Sequence, residues 1–520
     1  MTTDRSVAAA APIDQQAVLN FLLQAEPGMQ RVDTHASIVF LGRDRVLKVK
    51  RAVRLPFLDY ATLEKRKQAC EEELRVNTPF APQIYRRVVA ITREPDGLAI
   101  GGGGEPVEWA VEMARFDETR SFDHLAARQD ISTELATALA DAILAAHAQA
   151  PQIRSAGWIN SVEGLIERNT ARFRTVDGLA ASDIDRLDAR SHGQRVAHAR
   201  LLQDRANTGF VRHCHGDLHL GNIVLIDDHP VLFDAIEFDP VIATTDMLYD
   251  LAFPMMDLIH YGCTTAANAL FNRYIENGAD ANLDALALLP LFLSLRAAIR
   301  AHVLFTKAEQ SGKSGGADRD EAKRYFDLAI ALIDPRPPCL VAVGGLSGTG
   351  KSVLARGIAP TLGPPPGALV LRTDVIRKKL FGVAATERLP PSAYTPDVTA
   401  QVYDALLNGA ERAAAQGISV ILDATFLRGD EREAFAKLAP VGIPHIGVFL
   451  TAERVVRLAR IAQRTNDASD ATAAVAIQQE AMSLGAVDWQ QIDAGGTREQ
   501  TRDRAGRYLG SCAVPTGDKP

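Results

Sequence analysis

The sequence predicts a two-domain chain of mixed architecture. An α+β half, with a small β-rich lobe before a larger helical lobe, is followed by an α/β half built on a parallel sheet. Three observations carry this reading. The chain has 520 residues, and a single hydrophobic core rarely grows past ~250–300, so at least two cores are required. The segment DPRPP (334–338) ends a helical stretch, and CLVAVGG (339–345) directly opens a new apolar strand. Beyond it, short apolar runs alternate with helical ones, as in a parallel sheet crossed by helices. The boundary is therefore placed at Arg336, giving domains 1–335 and 336–520, the first with a small lobe over about 1–115 and a helical lobe over about 116–335.

In chain order, SIVFLGRDRVLKVK (37–50) reads as two alternating runs around a Gly-Arg-Asp turn, hence a hairpin. ATLEKRKQACEEELRVN (61–77) reads as a charged helix carrying Leu63, Cys70 and Leu74. RRVVAITRE and EWAVEMARF read as strands joined by PDGLAIGGGG, a flexible turn. From Phe122 to Leu202 the pattern is helical, and LATALADAILAAHAQ (135–149) is amphipathic. Residues 281–308 and 321–333 are helical again, separated by SGKSGGADRD (311–320), which reads as a flexible loop. In the second half, strands are expected at 339–344, 368–372, 418–423 and 446–450, with helices at 351–359, 374–380, 397–416, 430–438 and 452–464.

Hydrophobic residues make up 47% and charged residues 23%, which excludes wholesale disorder. With 57 Lys+Arg against 64 Asp+Glu, the net charge of −7 argues against a protein coated in nucleic acid. The five cysteines are scattered without CxxC spacing, so a disulfide framework or zinc site is not expected. The most apolar run, around Leu286–Leu295, is interrupted by Pro290 and Ser294. A cytoplasmic protein with no membrane partner is expected.

Gly345-Leu346-Ser347-Gly348-Thr349-Gly350-Lys351-Ser352 satisfies G-x-x-x-x-G-K-[ST] between an apolar strand and a helix. Such glycines let backbone N–H groups converge on phosphate oxygens. Lys351 would reach the β/γ-phosphates of ATP, and the Ser352 hydroxyl would ligate Mg²⁺. Asp374, at the end of the next strand, sits where a carboxylate can take a substrate hydroxyl's proton, or else Thr373 or Asp374 caps the following helix. Asp423 ends the next apolar strand as a metal-side acid or a turn aspartate. Arg457, Arg460 and Arg464 share a helix face, and Arg464 is the favoured lid residue over transferring phosphate charge. These residues resemble the small P-loop kinases: gluconate kinase, chloramphenicol phosphotransferase and the kinase half of phage polynucleotide kinase. TDVIRKKLFG and ILDATF look especially like the predicted ATP-binding kinases often fused to a second kinase. Over 339–480 the resemblance implies a P-loop NTPase fold, with Asp374 as base and Arg377 near the acceptor.

His215-Gly216-Asp217-Leu218-His219-Leu220-Gly221-Asn222 precedes an apolar strand, and Asp234 follows in VLFDAIEFD. Phosphoryl transfer needs a carboxylate near the acceptor and side chains on the metal that bridges the phosphates, and these three residues supply that set. The spacing H-G-D-x-x-x-x-N resembles the catalytic loop of aminoglycoside phosphotransferase-like kinases, over about 30–310. The resemblance implies a two-lobed protein-kinase-like fold, with Asp217 as base and Asn222 and Asp234 as metal ligands. It further implies an ATP-positioning lysine, Lys48 favoured over Lys50, and a helix glutamate drawn from Glu71, Glu72 and Glu73, with Glu71 on the Leu74 side. The adenine-contacting hinge falls at Glu112–Ala114, Met113 between them, and the phosphate loop at Thr34-His35-Ala36-Ser37.

The expected cofactors are ATP and Mg²⁺, and the acceptors small hydroxyl compounds such as sugars, aminosugars or aminoglycosides. Asp257, Glu276, Asp280 and Asp284 are the acids available for a cationic acceptor. Two other readings stand beside this one: one module regulates the other, or the P-loop domain is a nucleic-acid end kinase using Arg377, Lys378, Lys379 and the 457–464 arginines.

Overall fold

The structure, a computed structural model, describes residues 14–34, 36–55, 58–153, 157–311, 315–438, 442–464 and 467–512. It divides into two compact units. The first takes the chain as far as Asp130, then Ala145–Ser161 and Gln203–Phe253; the second takes Ile131–Leu144, Val162–Leu202 and everything from Pro254 onward. His35 of the expected phosphate loop lies outside the described residues, as do residues 312–314 of the expected flexible loop.

In the first unit, strands β1 (Gln30–Asp33), β2 (Ser37–Leu41) and β3 (Arg45–Lys50) are followed by a short ribbon of β4 (Arg54–Leu55) and β5 (Leu58–Asp59). After helix Leu63–Asn77 come β6 (Tyr85–Glu94), β7 (Gly97–Ile100) and β8 (Glu105–Ala114). They form an antiparallel sheet in the order β1-β2-β3-β8-β6-β7. Period-two alternation divides β3 cleanly. Leu47 and Val49 join the apolar cluster under helix Gln15–Gln24, with Val18, Leu19 and Leu22. Val46 packs on the other face with Cys70 of the 63–77 helix, and Lys48 and Lys50 share that face. The segment read as one flexible turn, 95–104, contains strand β7, which pairs with β6 through Ile91↔Ile100 and Thr92↔Ala99. Only Pro95-Asp96 and the glycine run after Ile100 are turn.

The region around the HGDxxxxN motif carries β9 (Val211–His213), β10 (Ile223–Ile226), β11 (His229–Leu232) and β12 (Thr244–Asp246). β10 and β11 form a hairpin around Asp227-Asp228, both at positive φ (49° and 60°), the conformation that matches strand twist in two-residue turns.

The second unit holds helices Thr264–Asn277, Leu289–Ser311 and Gly316–Ile333 and a five-stranded, all-parallel sheet. Its strands are β13 (Leu340–Gly345), β14 (Leu369–Arg372), β15 (Val420–Asp423), β16 (His445–Thr451) and β17 (Gln490–Asp493), ordered β14-β15-β13-β16-β17. Every residue of the central β13 is buried, as an apolar run covered on both faces must be. β17 and helices Ala473–Glu480 and Arg498–Cys512 were not anticipated, because their sequences lack a periodic apolar face. The 316–333 helix also begins inside the segment read as a loop. Among the described residues, Asp280–Ser311 is the run long and apolar enough to cross a membrane; 67% of its most apolar window is buried within the protein. Ser294 in it donates to the Ala329 carbonyl at 2.8 Å.

Strand β14 is a sheet edge, and an uncovered edge leaves backbone groups unpaired. The 264–277 helix covers it with amides. Asn272 Oδ1 accepts from Val370 N at 2.7 Å, and its Nδ2 donates to the Ala368 carbonyl at 3.1 Å. Asn268 Nδ2 donates to the same carbonyl at 3.0 Å and to Pro366 O at 3.1 Å. Arg412 forks onto Asp284 at 2.8 Å and reaches Asp280 at 2.8 Å, while Lys379 Nζ donates to the Glu276 carbonyl. Three of the acids offered for a cationic acceptor therefore lie in segments that hold the P-loop part of this unit. The fourth, Asp257, is buried and accepts from Tyr325 OH at 3.0 Å.

Replacing Asn272 with Ala strands an N–H and weakens the hold on a carbonyl, so a loss of about 1–3 kcal/mol is expected. Arg412→Ala removes two ion pairs to exposed carboxylates, Asp280 and Asp284, expected to cost under about 1 kcal/mol. Urea unfolding midpoints compare the two; an Arg412 effect larger than that of Asn272 would reverse the ranking of edge capping over surface charge.

Candidate active sites

The first site is organised by a charge cluster that is buried except at Asp234, whose side chain is 41% exposed. Lys48 Nζ lies 2.8 Å from Glu73 Oε1 and 2.6 Å from Asp234 Oδ1. Lys50 Nζ lies 2.6 Å from Glu73 Oε2 and 2.5 Å from Glu237 Oε1. One glutamate thus bridges both lysines, which share a face because they are two residues apart on a strand. The glutamate is Glu73, which corrects Glu71: Glu71 is 55% exposed with Lys67 at 3.8 Å, and Glu72 pairs with Arg75 on the surface. The reason is helical phase. Arg66, Cys70, Glu73 and Asn77 form the buried stripe of the 63–77 helix, and Glu71 lies off it. Burial pushes both Glu73 and Asp234 toward the neutral form, but the lysines outweigh it and hold each carboxyl below its ordinary value. Burial likewise works against the charge of Lys48, yet Asp234 and Glu73 raise it well above its usual value.

Asp234 stands at φ 61°, a backbone region costly for a residue other than glycine. The strain is held by neighbours: Tyr85 OH accepts from Asp234 N at 3.2 Å, and Asn77 brackets Ala235, accepting from its N at 2.6 Å and donating to its O at 3.1 Å. In the catalytic loop, Asn222 Nδ2 donates to the Asp217 carbonyl at 2.9 Å and to its Oδ2 at 3.3 Å. That leaves Asn222 Oδ1 as a hard oxygen donor, which together with the Asp234 carboxylate would make a donor set suited to Mg²⁺. Gly216, at φ 81°, donates its N–H to Asp250 Oδ1 at 3.0 Å, and His215 Nε2 meets the Phe233 carbonyl at 2.9 Å. Burial lowers the His215 pKa, consistent with a neutral scaffold imidazole. Met113 is buried in β8 opposite Val46 and Tyr85, so its side chain belongs to the core and only its backbone could meet an adenine.

The second site is a cavity of about 1390 Å³, roomy enough for a nucleotide and an acceptor side by side. Residues 347–352 of the glycine-rich loop lie along it. Gly348, at φ 88°, passes so close to Arg457 that a Cβ would stand 2.6 Å from its carbonyl, and Gly350, at φ 97°, caps the helix Lys351–Ile358. Lys351 Nζ donates to Leu346 O at 3.2 Å, and Gln479 Oε1 accepts from Ser347 N at 2.9 Å. Asp374 lines the cavity in the first turn of helix Thr373–Leu380; the N-cap position belongs to Arg372, so neither Thr373 nor Asp374 is the cap. Burial pushes the Asp374 carboxyl above its ordinary value, only partly countered by Arg372 and Lys351. Asp423 is buried at the end of β15. Ser352 and Asp423 again offer oxygen donors only, as Mg²⁺ requires.

The basic residues divide by role. Arg457 is buried as a brace, donating to Ala452 O and Ser347 O and pairing with Glu480, and Arg460 holds Thr349 O and Gly496 O. Arg464, just past the helix end, lines the cavity 4.0 Å from Asp467 and keeps a buried Nη1 without a hydrogen-bond partner. Arg377 is buried under Tyr394, with its Nη1 on Ala393 O at 2.7 Å. Lys378 is buried and pairs with Asp470 at 2.7 Å. Arg377, Lys378 and Arg457 are thus turned inward, whereas Lys379 is exposed with its Nζ on the Glu276 carbonyl. Arg372, Asp467 and Gln479 were not singled out in the sequence: the first hides behind its neighbour Asp374, and the others lie in segments without periodicity.

Two family models match the chain: the phosphotransferase enzyme family over residues 45–289 and an AAA domain over 340–484. The chain is 30% identical over 498 residues to the protein Rv2004c of Mycobacterium tuberculosis (strain ATCC 25618 / H37Rv), covering 92% of this chain and 95% of that one. The same values hold for Mb2027c of Mycobacterium bovis (strain ATCC BAA-935 / AF2122/97). Among solved structures, a sugar kinase from Janibacter sp. HTCC2649 is 22% identical, covering 34% of this chain and 95% of its own, with a TM-score of 0.25. A choline kinase from Cryptosporidium parvum Iowa II is 10% identical, covering 61% and 94%, with a TM-score of 0.37. With a phosphotransferase-type segment and a P-loop kinase-type segment in one chain, and a full-length match to the mycobacterial proteins, the chain belongs to their family and is a kinase.

Proposed function

We propose that the chain is a bifunctional ATP-dependent phosphotransferase that moves the γ-phosphoryl group of ATP to hydroxyls of small molecules at two separate sites. The observation that carries this reading is the duplication of parts. Asp217, Asn222, Asp234, Lys48 and Glu73 supply one set. Residues 347–352, Asp374 and Asp423 on one cavity supply another.

At each site the acceptor oxygen forms a bond to the γ-phosphorus while the bond to the β-bridging oxygen breaks and ADP leaves. The acceptor's proton passes to Asp217 in the first site and to Asp374 in the second. Lys48, held by Glu73, would contact the α/β-phosphates, and Lys351 the β/γ-phosphates. Mg²⁺, held by Asn222 and Asp234 or by Ser352 and Asp423, would supply neutralisation of charge on the phosphate oxygens. Arg464 lies on the cavity wall as the lid residue for developing charge. Arg377, with no ion-pair partner among the described residues, would meet an electronegative group of the acceptor. A sugar or sugar-derived polyol fits the second cavity's hydroxyl-bearing wall, where Tyr403 OH and Thr425 Oγ1 lie 3.2 Å apart.

Phosphoryl transfer from ATP into a cytosolic metabolite extract, read by mass spectrometry, tests the two-site reading. Asp217→Asn and Lys351→Ala should each abolish a different product, base loss alone lowering the rate by about 10²–10⁴-fold. If one variant leaves every product unchanged, that module is a regulator and the two-enzyme reading fails. At the first site, Glu73→Gln should lower kcat/KM for ATP by about 10²-fold through misplacement of Lys48, whereas Glu71→Gln should leave it within about twofold. Steady-state kinetics showing the reverse order would return the role to Glu71.

A base must be ionised to accept a proton, and the Asp374 pKa is raised. Activity at the second site should therefore fall as pH drops through a value above the ordinary aspartate range of ~3.9. An acid limb of kcat/KM at or below that range would remove Asp374 as the base.

A further inference from the structure

Arg372 ends β14 and pairs in register with Asp423, which ends β15. Its side chain is 10% exposed. Nε lies 3.2 Å from Asp423 Oδ2, and Nη2 lies 3.2 Å from Ser352 Oγ and 3.1 Å from Asp467 Oδ1. One guanidinium therefore links the hydroxyl and the carboxylate assigned to the metal, and a third group, Asp467, shares Nη2 with the hydroxyl. The chemistry makes the overlap a contest. Guanidinium has donors only, so the Ser352 oxygen acts toward it as an acceptor, through the same lone pairs a metal would use. Arginine does not deprotonate in this range, so it cannot yield the position by losing its charge. Two cations among the same few oxygens repel unless further negative charge arrives. A nucleotide triphosphate brings that charge.

We infer that Arg372 is the resident cation of this acid cluster, competing with a divalent metal for Ser352 and Asp423, so that the metal enters together with the nucleotide and not ahead of it. The inference rests on the reading of Ser352 and Asp423 as metal ligands. Arg372 is a positioning residue in this role. It keeps the hydroxyl and the two carboxylates gathered, and on entry of the metal–nucleotide it retains Asp467 while phosphate oxygens take its other donors.

The test is Mn²⁺ binding followed by electron paramagnetic resonance on the full chain. An Asp234→Asn background removes the metal site of the first module, and each protein is titrated with and without ATP. Without nucleotide, Arg372→Gln should bind Mn²⁺ at least about tenfold more tightly than the Arg372 protein, and with ATP the difference should fall below about threefold. Arg372→Lys keeps the charge but cannot span three partners, so a gain of about two- to threefold without nucleotide is expected; it serves as the readout if the Gln variant does not fold. Asp423→Asn, in the same background, should weaken Mn²⁺ binding in the presence of ATP. If it does and Arg372 substitution leaves free Mn²⁺ affinity unchanged, the competition is refuted while the metal assignment stands. If Asp423→Asn has no effect, the metal assignment fails and the inference fails with it.

Discussion

A cation in a largely buried site must itself be held against desolvation, and for Lys48, Lys50, Arg372 and Lys378 carboxylates do the holding. The rest of each site depends on that constraint. Lys48 and Lys50 would be strongly disfavoured in the small lobe's interior without Glu73, Asp234 and Glu237, and the cluster fixes the 63–77 helix against β3. The second site solves the same problem with Arg372 among Asp423 and Asp467, and again with Lys378 on Asp470. Removing one member of such a set leaves an uncompensated buried charge, which is more damaging than the net strength of the pair suggests. Under the proposed function, folding stability and readiness for phosphate would be set by the same residues.

The parallel sheet raises a different constraint, an edge. β14 carries Arg372 and leads straight into Asp374, so its position sets where the proposed base stands. Its outer backbone groups are paired by Asn268 and Asn272 of a helix that lies within the phosphotransferase-type segment. Asp280 and Asp284, which composition alone offers to a cationic substrate, serve instead as anchors for Arg412. An acidic stretch read without its partners is thus a poor guide to substrate charge, because docking surfaces use the same side chains.

The two motif-bearing loops were legible because their chemistry is local. The 345–352 loop needs glycine where φ is positive and where the backbone passes Arg457, and HGDxxxxN needs Gly216 at φ 81° and an asparagine five residues past the aspartate. Such demands act over a few residues and leave a mark in the sequence. Strands of the parallel sheet were legible as apolar runs for the same reason. β7 was missed because four residues inside a glycine-rich stretch carry too short an alternation, and β17 because its pattern is polar with one buried residue, Ile492.

By itself, the sequence determined the two phosphate-handling motifs, the elements that flank them and the candidate bases, all of which rest on backbone geometry over short spans. Only the tertiary structure decided which side chains complete them. Glu73 and not Glu71 meets Lys48, because helix phase and the packing of that helix on β3 select it. Arg372 meets Ser352 and Asp467 across 20 and 95 residues. Asp234 finds Lys48 across 186. Ion pairs of that reach are made by the packing of whole elements against one another, and packing is a property of the folded chain that no local pattern records.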